Sequence, residues 1–503
     1  MDFLVYLTKI LDEHGGSNRH FVDTSIKNSP KLKLLYEHIR NGDITCDDDA
    51  FRILYCNKTS KTSLSELKRR LKHKLIDGLL FIDSANQASN EVHTAFNQVS
   101  RMWIASKQLL AHQHPHVFIK VATSALKLAL KYELSEFQYH ISRMILSYYS
   151  VHSYSKSKFS YYRNIVVQSR RVMFAEGEAE QAFFHLYLML SDGLRSRTEE
   201  EIQVVREPFD QKLAEFQDVQ SNRYIRMAYL YKVFCAEIVC NHEAAILLCE
   251  EAILVLKSKP FIVHGALLSL EVRLIANLIK VGQLEQARRI LESHINSKLA
   301  RGHSWYTIHL YWFILECHSK KYNSASKILS TGIQQKHFSI LSEPLRQLWL
   351  ICAAFHAFLI ETGRVDTPES KRKPFRIYKF LNDVPMYSKD KRGMNITILI
   401  IHVLFLMWQK KYSKAEDRIE SLKAYSNRYL RDDANFRSNC FIKMLVQLPK
   451  ADFHPIRVQR YAEKYAKRLK EVPLSKSRQG LEIEIIPYEH LWEMIIGMCR
   501  ATP

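Results

Sequence analysis

Apolar residues along this chain recur at intervals of three and four, not two, which is the period of helices with one buried face. From about residue 90 the pattern alternates long helix and short break. It predicts helices over Glu91–His112, Val117–Tyr132, Glu136–Val151, Phe159–Ala175, Glu178–Asp192, Glu199–Gln220 and Arg223–Cys240. It continues through Glu243–Lys257, Ile262–Val281, Leu284–Leu299, Trp305–Lys320, Asn323–Gln335 and Glu343–Glu361. Between Gly363 and Gly393 the pattern breaks at Pro368, Pro374 and Pro385, among the basic residues Lys371, Arg372, Lys373, Lys389, Lys391 and Arg392. Prolines at such intervals end helices, so this stretch reads as an exposed loop or linker around one short helix, Phe375–Leu381. Helices resume at Asn395–Gln409, Ser413–Tyr429, Asn435–Val446, Ile456–Lys470 and Tyr488–Met498. Strand-like alternation is limited to Leu481, Ile483 and Ile485.

The first 86 residues read differently. Short helices are predicted at Asp2–Glu13, Pro30–Arg40 and Cys46–Tyr55, the last with Thr45 as N-cap and Asp47, Asp48 and Asp49 in its first turn. After a polar stretch comes an amphipathic helix with an apolar stripe of Leu64, Leu67, Leu71, Leu75, Leu79 and Ile82. Its other face carries Lys68, Arg69, Arg70, Lys72, His73 and Lys74. The expected organisation is a small helical region over 1–86, helical repeats over 90–363, the basic linker over 364–392, and further repeats with a capping helix over 393–503.

A repeat is legible around four alanines, Ala245, Ala287, Ala325 and Ala415, each early in the second helix of a pair. Three residues earlier stand His242, Leu284, Tyr322 and Tyr412, and four later Cys249, Leu291, Leu329 and Ile419. Five earlier, at the break between helices, stand Cys240, Gly282, Lys320 and Lys410. A small residue at the anchor lets two helices approach closely, and the apolar residue one turn later extends the buried face.

This arrangement resembles the tetratricopeptide repeat family, with Gly282, Leu284 and Ala287, and Ala245 with Ala252, matching well. The resemblance covers about 229–429, and more weakly 90–228. The chain departs from the family in carrying Val233, Ile275, Phe313 and Val403 where a small residue is preferred twelve places before the anchor. It also has anchor spacings of 42, 38 and 90 residues (245 to 287, 287 to 325, 325 to 415) in place of about 34. The resemblance implies an all-α, right-handed superhelical solenoid of antiparallel helix pairs. Its concave face, made by first helices, would bind a peptide or protein segment. Candidate groove residues are Arg226, Lys232, Arg273, Asn277, His309 and Asn395.

Composition supports long helices with short connections: Gly is 14 and Pro 13 of 503 residues, too few for a turn-rich β fold. The net charge of +21 favours anionic partners. The nine cysteines are odd in number and form no C-x-x-C pair, as expected of thiols in a reducing compartment. The first 15 residues lack the pattern of a signal peptide, and no run of about 18 uncharged apolar residues occurs. A cytoplasmic protein with no membrane span is expected.

Two basic helices are candidates for nucleic acid. Lys68, Arg69, Arg70, Lys72 and Lys74 lie on the second of two short helices, an order similar to a helix-turn-helix, although the connection is longer than usual. Arg457, Arg460, Lys464, Lys467 and Arg468 form a stripe on a later helix, opposite Val458, Tyr461, Tyr465 and Leu469. Both also read as solvated faces. His112, His114 and His116 alternate without a carboxylate or cysteine partner, which is a weak metal pattern. His242-Glu243 lacks the second histidine of a zinc-protease helix, and no phosphate loop or nucleophile elbow is present. The expectation is a non-catalytic scaffold, without cofactor or metal, binding a protein or peptide. The alternative is a nucleic-acid-binding regulator with the solenoid as sensor or dimerisation body, and a homo-oligomer is among the partners considered for either.

Overall fold

The computed structural model describes residues 1–14, 23–24, 26, 29–55, 61–80, 91–191, 199–295, 302–333, 335, 338, 341–366, 375–384, 394–429, 436–476 and 484–499. The regular structure among them is helical throughout, and adjacent helices pack on one another as expected of a helical solenoid. Two compact units are distinguished, Met1–Phe174 and Ala175–Pro503.

In the first unit, α1 (Asp2–His14), α2 (Pro30–Asn41), α3 (Asp47–Tyr55) and α4 (Lys61–Leu79) enclose a core of their own. Leu64, Leu67, Leu71 and Leu75 of α4 are all buried there, so the stripe read from the sequence is the packed face; Ile82 lies outside the described residues. Thr45 does not cap α3 by accepting. Its hydroxyl and backbone N–H both donate to Asp49, as do the N–H and thiol of Cys46. These bonds, the Cys46 side chain first, hold Asp49 down to about 2. A second core is built by α5 (Glu91–Ala111), α6 (Pro115–Lys131), α7 (Ser135–Val151) and the start of α8 (Lys156–Ser191).

Helix α8 corrects one expectation. Two helices were predicted, broken near Gly177, and one continuous helix of 36 residues is found. A lone glycine costs a helix only about 1 kcal/mol, too little to end it without a proline or a turn to stabilise the break. Helix α9 (Glu199–Ala214) tolerates Pro208 and stops earlier than predicted.

The second unit continues with α10 (Asn222–Ile238), α11 (His242–Lys257), α12 (His264–Val281), α13 (Leu284–Ile295), α14 (His303–His318), α15 (Tyr322–Ile333) and α16 (Glu343–Glu361). Then follow α17 (Ile377–Asp383), α18 (Met394–Trp408), α19 (Tyr412–Tyr429), α20 (Phe436–Leu445), α21 (Gln447–Lys450), α22 (Pro455–Glu471) and α23 (Tyr488–Met498). First helices also pack on the next first helix: α10 on α12, α12 on α14, α14 on α16 and α16 on α18. They therefore form one layer.

The four anchors Ala245, Ala287, Ala325 and Ala415 are fully buried, and Cys249, Leu291, Leu329 and Ile419 one turn later are buried with them. The residues five before the anchors share one backbone state: Cys240, Gly282, Lys320 and Lys410 have φ of 57°, 80°, 56° and 53°. Each turn closes with the same pair of bonds. The N–H of Lys410 donates to the Met407 carbonyl and that of Lys411 to Leu406, both at 3.0 Å, and the other three turns repeat this. This is the left-handed helix stop that satisfies the last carbonyls of the preceding helix. Gln113, Glu133 and Gly363, with φ of 60°, 53° and 70°, stop α5, α6 and α16 in the same way.

A C-terminal segment follows this row of turns. The 3-10 turn Leu474–Lys476 packs on α12, the Glu484 carbonyl accepts from His318 Nε2 at 2.5 Å, and Lys320 pairs with Glu493 at 2.9 Å. The Tyr412 hydroxyl donates to the Met498 carbonyl. Buried Arg437 fastens the segment, with bonds to Glu484 at 2.7 and 3.1 Å and to Glu489 at 2.8 and 3.0 Å. Of the strand-like residues, Ile485 is buried outside any helix, and Leu481 and Ile483 lie outside the described residues.

Most of the predicted linker also lies outside the described residues. Its described parts are 364–366 and 375–384, and the second is packed. Ile377, Phe380 and Val384 are buried, and Phe375 stacks on Phe405 of α18 at 4.7 Å.

Candidate functional site

The layer of first helices carries the candidate groove residues, and the structure sorts them. Asn277 and Arg273 of α12 turn toward α10 and α11. Arg273 donates through Nε to Glu237 at 3.1 Å and through its terminal nitrogen to the other carboxylate oxygen. Asn277 Nδ2 donates to Glu237 at 2.6 Å, and its Oδ1 accepts from His242 Nδ1 at 2.7 Å. Burial penalises the charged arginine, but the Glu237 carboxylate over-compensates and raises its pKa. Burial and then the Lys280 charge push His242 down, which keeps it neutral, with one N–H to give. All four groups are committed to one another.

A similar internal clamp joins α13 to α14: Arg288 pairs with fully buried Glu316, which also accepts from Trp312 Nε1 at 3.0 Å. His309 Nδ1 meets the Trp305 carbonyl at 2.8 Å and its ring stacks on Trp305 at 3.6 Å. Asn395 is buried.

The other two of the six are Lys232 and Arg226. Lys232 is exposed, with its ammonium 5.0 Å from the Tyr229 ring. Tyr229 is pushed up to about 12 by burial and by its bond to Glu251. Arg226 is half-buried, and its Nε is buried with no hydrogen-bond partner. Burial lowers its pKa, opposed by Glu180. That carboxylate is already held by Arg223 at 2.6 and 3.0 Å. The Arg226 guanidinium is thus partly desolvated, and the acid that opposes its burial is shared with Arg223.

The basic helices are placed as follows. On α4, Lys68 pairs with Asp47 at 2.8 Å and Arg69 with Glu66 at 2.7 Å. Arg70 donates to Ser29 at 3.0 Å, and Lys72 lies 5.1 Å from the Phe3 ring. Lys74 is half-buried. On α22, Arg457 pairs with Asp452 and Lys467 with Glu463, Arg460 lies over Tyr461, Arg468 lies over Phe436, and Lys464 is exposed. The buried stripe of α22 is Val458, Ala462 and Leu469, whereas Tyr461, expected to face inward, is exposed. Exposed pairs of this kind are worth about 0–1 kcal/mol, so they hold side chains loosely but intersperse acid among the cations.

His112, His114 and His116 are exposed around the turn at Gln113. Among the described residues no three His, Cys, Asp or Glu side chains gather as a metal site, and no helix is long and apolar enough to cross a membrane. Gly332, which no sequence pattern singles out, leaves room for the fully buried Trp349 ring. No protein-family model, curated protein or solved structure matches the chain.

Proposed function

We propose that the chain is a non-catalytic adaptor that binds an acidic protein or peptide segment along the layer of first helices α10, α12, α14, α16 and α18. In this reading the helix pairs follow the right-handed superhelix of tetratricopeptide solenoids. The observation that carries it is Arg226, a desolvated guanidinium on a first helix with its Nε unpartnered. Lys232 extends the positive charge along the same helix, and the net charge of +21 steers an acidic segment toward it.

The test is affinity capture from nuclease-treated cell extract with the wild-type chain, Arg226→Gln, and a variant with Lys68, Arg69, Arg70, Lys72 and Lys74 all changed to Ala. The proposal expects a defined protein that is retained by the wild type and the five-alanine variant and lost with Arg226→Gln. Loss only with the five-alanine variant, or recovery of nucleic acid alone when nuclease is omitted, would favour the regulator reading instead.

A further inference from the structure

We propose that a cavity between α5 and α7, in the first unit, binds a small phosphate monoester through its phosphoryl group. The cavity measures about 290 Å3 and is lined by Trp103 and Lys107 from α5 and by His140, Arg143, Met144 and Ser147 from α7. Trp103, Lys107, His140, Arg143 and Ser147 each offer a hydrogen-bond donor, and no acidic side chain stands among these lining residues.

The two cations lie over aromatic rings, as Lys31 and Lys72 of the same unit also do. Elsewhere in the unit Lys68, Arg40 and Lys33 meet the carboxylates of Asp47, Asp12 and Glu37. Lys107 instead lies over the Trp103 ring, 4.1 Å from its centroid, and the Arg143 guanidinium lies 5.4 Å from the Tyr139 ring. An aromatic face orients a cation without cancelling its charge, so two uncancelled positive charges border one cavity. The indole N–H of Trp103 is buried and has no hydrogen-bond partner. Phe137 packs edge-on against that indole at 5.8 Å. A buried donor without an acceptor is costly, and a ligand oxygen removes the cost.

These features select the ligand. Two cations at one cavity favour a dianion over a monoanion, and a phosphate monoester carries roughly −1.5 to −2 charge with three strong acceptor oxygens at neutral pH. The planar guanidinium suits two of those oxygens, and the ammonium supplies a point charge. Met144 and the indole edge form an apolar wall for the organic part of the ester. With Lys107 over one face of Trp103, the ring is a wall and a donor.

Isothermal titration calorimetry of the full chain with inorganic phosphate, glycerol 3-phosphate and acetate, at constant ionic strength, tests this. Saturable binding is expected for the first two, with the ester at least as tight as phosphate and acetate far weaker. Lys107→Met, Arg143→Gln and Trp103→Phe are each expected to weaken phosphate binding about tenfold or more. Lys107 and Arg143 are exposed, so those two variants keep the test sound if Trp103→Phe fails to fold. Absence of saturable heat, acetate binding as tightly as phosphate, or unchanged affinity in Lys107→Met and Arg143→Gln would overturn the proposal.

Discussion

The turn at the end of each first helix makes a two-sided prediction. Lys410 sits at φ 53° and is exposed, and Gly282 sits at φ 80° in the equivalent turn. A residue with a Cβ loses about 1–2 kcal/mol in this left-handed region. Glycine escapes that loss but gives up roughly 0.4–1 kcal/mol through its freer unfolded chain. Lys410→Gly should therefore stabilise the second unit by about 0.5–1 kcal/mol, and Lys410→Ala, which keeps the strain, should change little. Gly282→Ala should destabilise by about 1 kcal/mol. Nothing lies within 4 Å of a Cβ built there, so the effect is backbone strain and not collision. Urea unfolding followed by circular dichroism, with each variant compared at equal slope, measures all three. The reasoning fails if Lys410→Gly destabilises the protein or if Gly282→Ala is neutral.

Three further outcomes follow from the same packing. A methyl group on Gly332 would overlap the Trp349 ring, so Gly332→Ala should cost about 1–3 kcal/mol in thermal or urea unfolding. Arg437→Met should cost about 3–5 kcal/mol by leaving Glu484 buried and unpaired, and adding Glu484→Met should recover much of that loss in the same assay. Burial, reinforced by the Arg418 charge, holds His402 at about 4 against 6.5 for an ordinary histidine. Its depressed pKa means that this stabilisation is complete above pH 6.5 and declines as the pH falls toward 4. Stability at pH 5 should be lower than at pH 7 by roughly 2 kcal/mol from this group alone, and His402→Leu should flatten that part of the profile.

The parts legible in the sequence are those written in local spacing. The alanine anchors, the residue one turn later and the break five places before each could be aligned by eye, and the left-handed turns stand at those breaks. The equivalent turns at Gln113 and Glu133 escaped notice because five residues on stand Phe118 and Gln138, not alanine. The backbone repeats there while the side chains do not. The groove residues show the opposite limit. Arg273 and Asn277 look like free polar groups on an amphipathic helix, but Glu237, which holds both, is 36 and 40 residues away. Arg437 and Glu484 are likewise 47 residues apart. No local pattern announces such partners. Arg226 and Lys232 differ from Arg273, Asn277 and His309 in having no acidic or backbone partner among the hydrogen bonds described.

The most direct test of the adaptor reading is site-specific photocrosslinking with p-benzoylphenylalanine in place of Lys232, exposed on first helix α10, or of Leu247, exposed on second helix α11. Crosslinking of the captured acidic partner from position 232 and not from position 247 is the predicted result. Crosslinking from 247 alone would place the binding surface on the second helices and contradict the account.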